Sequence, residues 1–79
     1  MLDHLGRACL SARRGAGLRQ IDIATVAGVS HGAVSRFETP GGGHPRDVEA
    51  LVTAYASECA VPALSLWELA LQAWRTERS

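Results

Sequence analysis

Glycine and proline interrupt this chain at four places and leave it only short pieces to fold with. Gly15 with Gly17, then Gly28, then the run Thr39-Pro-Gly-Gly-Gly-His-Pro45, then Pro62 separate five segments whose apolar residues recur at helical spacing. The first, Asp3 to about Arg14, sets Leu5, Cys9 and Ala12 on one side, with Asp3 as its N-cap. Gln20 to Val26 offers Ile23, Ala24 and, just beyond, Ala27 as a buried edge. Ser30 is placed to cap a helix from His31 to about Glu38, in which Val34 and Phe37 face inward. Arg46 to about Ser57 carries Val48, Leu51, Val52 and Tyr55, with Asp47 and Glu49 in a first turn that suits carboxylates. Ser65-Leu-Trp-Glu68 has the form of a capping box and opens a last helix to about Glu77. Abundant Ala and Leu with few β-branched runs favour helix over sheet. The expectation is one all-α domain of five helices over residues 1–79.

Size and composition then exclude several function classes. A chain of 79 residues buries only about 60–65% of its unfolded surface, too little for a deep substrate cavity or a dinucleotide-binding fold. Apolar residues make up 47% of it, which argues against a disordered tail. Cys9 and Cys59 read as small reduced thiols, no CxxC is present, and His4, His31 and His44 are far apart in sequence. No metal and no cofactor is expected. Asp22, Glu38 and the three histidines make no nucleophile–base or paired-carboxylate arrangement, so no enzyme is expected either. The N-terminus lacks the pattern of a signal peptide, and no run of about 18 apolar residues exists. The expected setting is the cytoplasm, away from membranes.

The segment Leu18 to Glu38, LRQIDIATVAGVSHGAVSRFE, holds two short helices around a turn containing glycine, the pattern of a helix-turn-helix. Ala24 is small enough for the two helices to approach. Gly28 permits a turn of positive φ, Val29 and Val34 fill the space between, and Ser30 caps the second helix. Leu18, Gln20, Ala24, Ala27-Gly28-Val29-Ser30, Val34-Ser35-Arg36 and Glu38 together resemble, without a gap, the helix-turn-helix of the XRE/Cro family of phage and bacterial regulators. The resemblance covers about residues 4–57 well and the remainder loosely. It implies a compact five-helix, lambda-repressor-like domain that binds double-stranded DNA.

The resemblance also implies roles. With the second helix of the motif in the major groove, His31, Gly32, Ser35 and Arg36 lie nearest the base edges. Arg36 can give two parallel donors to a guanine; the plainer alternatives are a phosphate contact or pairing with Glu38. His31 is read as a base or phosphate contact, or else as a solvated residue beside the cap. Gly32 would allow close approach to the groove. Arg19, Gln20, Ser30 and Arg46 are the expected phosphate contacts; Arg19 stands where the family usually has a Ser or Thr cap. The glycine loop up to Pro45 could present N–H groups to the backbone or serve as a tether. Arg13 and Arg14 read most simply as cations at a helix C-terminus.

Net charge is zero, unusual for a DNA-binding domain, but it is unevenly spread. Residues 1–39 hold five Arg against three acids, and residues 40–79 hold three Arg against five acids. In the last segment, Leu66, Trp67, Leu69, Ala70, Leu71, Ala73 and Trp74 spread well beyond the stripe of a little over 100° that a surface helix needs. Trp67, Leu71 and Trp74 are the expected outer stripe and dimer interface, unless both Trp simply complete the core. A homodimer on a two-fold symmetric operator, a Cro-like repressor, is the leading expectation. The alternative is a protein-interaction module of the same fold, an antitoxin or adaptor, meeting its partner through the C-terminal helix.

Overall fold

A computed structural model of the chain describes residues 2–42 and 45–78. Five helices follow one another: α1 Leu2–Gly15, α2 Gln20–Ala27, α3 His31–Glu38, α4 Val48–Glu58 and α5 Ala63–Arg78. No strand occurs among the described residues. Leu5, Cys9, Ile23, Val34, Phe37, Leu51, Tyr55, Leu66 and Ala70, drawn from all five helices, form a single buried cluster. α1 lies along α5, while α2 packs on α3 and α4, and α3 also meets α1. Among the described residues no single helix is long and apolar enough to cross a membrane.

The α2–α3 unit folds as its sequence dictates. Gly28 adopts φ +71° and donates its N–H to the Ala24 carbonyl, closing α2 in the left-handed conformation that glycine adopts cheaply. Val29 turns inward against the core. Ser30 then accepts the Ala33 N–H at 3.1 Å and starts α3. Leu18 likewise drops back onto the core after Gly17, its N–H bonded to the Arg13 carbonyl at 3.1 Å.

Other boundaries differ from expectation. Asp3 does not cap α1, which begins at Leu2; its carboxylate instead accepts the Gly41 N–H, tying the glycine loop to α1. Asp47 is the cap of α4 and not a first-turn residue, accepting the Ala50 N–H at 3.0 Å. Ser65-x-x-Glu68 is not a capping box. α5 starts at Ala63, because Pro62 presets its own φ and Ala63 and Leu64 are good helix formers; the Ser65 N–H goes to the Pro62 carbonyl. α4 ends without a glycine: Ala60 takes φ +55° while the Val61 N–H returns to the Ala56 carbonyl at 3.0 Å.

Two glycines permit contacts that a side chain would forbid. A methyl on Gly6 would overlap the Phe37 carbonyl oxygen, so α1 crosses the end of α3 with backbones nearly touching. A methyl on Gly42 would overlap the Arg36 carbonyl, so the loop folds back on the same helix end. Both cysteines are free. Burial first, then the neighbouring Cys59 and Glu38 charges, pushes the Cys9 thiol up to about 12.

Candidate nucleic-acid interface

The site begins with a carboxylate for which the sequence offered only Arg36 as a partner. Glu38 closes α3, and its side chain is 3% exposed. Arg13 grips it with two donors, Nε to Oε2 at 2.7 Å and Nη2 to Oε1 at 2.9 Å. The Tyr55 hydroxyl donates to Oε2 at 2.5 Å, and the Gln20 amide nitrogen donates to Oε1 at 2.9 Å. All four acceptor sites of the carboxylate are therefore used. Burial pushes its pKa upward, but the hydrogen bonds from Arg13, Tyr55 and Gln20, with the Arg13 charge, outweigh burial and hold it below the usual carboxylate range. Tyr55 is shifted upward in turn, by burial and by its bond to that carboxylate.

Residues two apart on a helix face different sides, so Arg36 and Glu38 do not meet. The side chain of Arg36, an exposed residue, has no hydrogen bond or ion pair among the described residues. Its guanidinium lies back along α3, as helical side chains do, so that Nη1 is 3.2 Å from where a Cβ on Gly32 would stand. Gly32 is thus the seat of Arg36. The Ser30 hydroxyl lies beside the same point at 3.9 Å.

His31, the first residue of α3, is exposed, and its Nε2 is 2.9 Å from the Gln20 carbonyl oxygen. Gln20 is thereby held from both ends, by Glu38 below and His31 above. It was expected to meet a phosphate; its carbonyl and one amide hydrogen are instead committed within the chain. Arg19 caps α2 without a side-chain bond, since a guanidinium cannot accept. The reverse half of a capping box is present: Asp22 accepts the Arg19 backbone N–H at 2.9 Å and pairs with its guanidinium at 3.2 Å. Those bonds, the backbone one foremost, lower the Asp22 pKa. Arg19 therefore reaches outward less freely than Arg36.

Arg46 is exposed and shares a cleft with Arg36, about 410 Å³ in volume, bounded by Val29, Ala33, Pro45 and Leu51. Gln20, Ser30, His31, Gly32, Arg36 and Arg46 thus gather around one end and one flank of α3. Ser35 is half-buried, behind this face. Of the glycine loop, Gly43 and His44 lie outside the described residues. The Gly41 and Gly42 N–H groups are spent on Asp3 and on the Thr39 carbonyl.

Sequence reasoning placed Arg13 at the end of α1 and Tyr55 on the inward face of α4 but not on Glu38, and it did not single out Gly6. One signal was legible: an acid at the last position of a helix opposes the helix dipole, so Glu38 needed a compensating cation. On α5, the expected interface residues Trp67, Leu71 and Trp74 are all half-buried; Trp67 packs on the core and Trp74 lies under the Arg78 guanidinium at 4.6 Å. Leu64 at 67% and Leu69 at 54% are the exposed large apolar residues of that helix. Among the described residues no group of three or more His, Cys, Asp or Glu could hold a metal ion. Comparison with family models, with curated proteins and with solved structures finds no match.

Proposed function

We propose that this chain is a sequence-specific transcription regulator that binds double-stranded DNA with α3 in the major groove. One observation carries the reading: the Arg36 guanidinium is exposed and unpartnered among the described residues, seated over Gly32, because two positions from Glu38 it faces another side of α3. Such a guanidinium, held on a rigid helix, suits bidentate hydrogen bonding to guanine O6 and N7. At eight residues, α3 is about 12 Å long, close to the width of the groove. Arg46, across the cleft, is the cation for a flanking phosphate. With extents of 37 × 25 × 19 Å, one copy covers one half-site. A dimer would set two α3 helices roughly 34 Å apart on successive major grooves. The basic balance of residues 1–39 supports DNA at that end.

The test is enrichment of bound sequences from a random duplex pool, followed by affinity against salt. A dimer that neutralises roughly 6–8 phosphates should show log K falling with log salt at a slope of about −5 to −7. No enrichment, or binding indifferent to salt, would sink the reading.

The protein-interaction alternative has its own observation. An apolar groove of about 420 Å³ between α1 and α5 is lined by Ala8, Ala12, Val61, Leu66 and the exposed Leu69. In the DNA reading, a second copy of this chain covers it. Sedimentation then separates the two: a dimer that Leu69→Glu dissociates without loss of helix supports the first, whereas a monomer that co-purifies with a stoichiometric foreign chain supports the second.

A further inference from the structure

The chain of bonds from Glu38 through Gln20 to His31 fixes a hydrogen-bond polarity as well as a position. An ionised carboxylate only accepts, and Glu38 is held ionised by its four donors. The Gln20 amide therefore turns its NH2 toward Glu38, since the reversed amide would set a carbonyl against a carboxylate. Its own carbonyl is left facing His31 Nε2 at 2.9 Å, and a carbonyl takes only a donor. The His31 ring accordingly carries its proton on Nε2. Nδ1 makes no hydrogen bond among the described residues, on a residue exposed at the start of α3. In the ring with a single proton, Nδ1 is an acceptor and nothing else.

We propose that His31 determines specificity by accepting, at Nδ1, a hydrogen bond from an exocyclic base amine in the major groove, with Gln20 as the positioning residue that selects the tautomer. The inference rests on the DNA reading above and adds the chemical class of base. Adenine N6 and cytosine N4 supply such a donor. Guanine offers only N7 and O6 and thymine only O4, all acceptors, which would set lone pair against lone pair. Buried Glu38 thus governs what an exposed ring can read, through one intervening amide. Arg36 on the same helix, purely a donor, reads the opposite polarity. A half-site should therefore pair a guanine position with a nearby amine-bearing base.

Nitrogen NMR of the imidazole ring in the full chain, above the ring's own titration as located in the same experiment, reads the tautomer without DNA. The wild type should show the Nε2–H form. Gln20→Ala, at a half-buried position, should retain its helical content and show a mixture of tautomers. Selection from the random pool should give adenine or cytosine at one position per half-site, and which of the two is enriched identifies the donor. Gln20→Ala and His31→Ala should each reduce that preference by roughly three- to tenfold, while the guanine read by Arg36 stays selected. An Nδ1–H ring in the wild type, or a tautomer unchanged in Gln20→Ala, overturns the inference even if DNA is bound. So does a guanine or thymine at the His31-dependent position. A pool with no enriched sequence overturns the DNA reading together with this one, although the measured tautomer would still stand.

Discussion

Phe37 and Glu38 at one end of α3 are buried and partnered, while His31, Gly32 and the Arg36 guanidinium occupy the exposed other end. A single eight-residue helix therefore does two jobs. An isolated helix of that length is unstable in water, since nucleation costs more than two turns return. The sunken end supplies what the length lacks: a carboxylate with four donors, a backbone crossing at Gly6, and the loop folded back at Gly42. Rigidity at that end lets the exposed end keep the Arg36 guanidinium and His31 Nδ1 unpaired among the described residues. The acid nearest Arg36 in sequence faces another side of α3 and is occupied by a cation from α1, and the Arg36 guanidinium stays unpaired among the described residues.

The strongest way to break this contrast is to remove Arg13. Arg13→Ala leaves Glu38 buried as an uncompensated charge and should cost about 3–5 kcal/mol in urea unfolding. Its pH dependence should also invert. Glu38 in the wild type sits below its ordinary value of 4.5, so the stability it contributes is complete above that value and is lost as pH falls through the lowered folded one. With Arg13 gone, only the Tyr55 and Gln20 hydrogen bonds oppose burial and the group should rise, so the variant should regain stability relative to wild type on acidification from about pH 7 to about pH 4. A parallel acid response in the two proteins would show that the pair is not what holds Glu38 ionised.

Gly6→Ala attacks the same end through packing. The new methyl would overlap the Phe37 carbonyl, forcing α1 off α3 for about 1–3 kcal/mol despite the better helix propensity of Ala. Stability at or above wild type would mean the crossing is looser than described.

At the exposed end the expected pattern reverses. Arg36→Ala should change folding stability by less than about 0.5 kcal/mol, yet weaken DNA binding by about 1–3 kcal/mol per half-site with relaxed preference at one base pair. An equal loss on every duplex would reassign Arg36 to a phosphate. The smallest effect is a control away from α3. Ala60→Gly relieves a left-handed alanine in the α4–α5 turn and should raise stability by about 0.5–1 kcal/mol without altering DNA affinity. A change in affinity there would show that the two ends of α3 are not the only regions that matter.

Local physics was legible in the residues themselves. Glycine and proline break points, the αL turn at Gly28, the Ser30 cap and the inward faces of α2, α3 and α4 all follow from interactions within a few positions of one chain, so the five-helix architecture and both boundaries of α3 could be read directly. Which helix end a neighbouring element shortens was less visible: Asp47, Ser65 and Ala60 each took a role set by the adjoining turn. Tertiary structure alone decided the partners of Glu38, because a buried carboxylate is matched by whatever donors the packed helices bring within 3 Å and not by sequence spacing. That choice brought Arg13, Gln20 and Tyr55 together from three helices. It also turned the Gln20 carbonyl toward His31 Nε2, whereas Arg36 was already kept from Glu38 by its position two residues away on the helix.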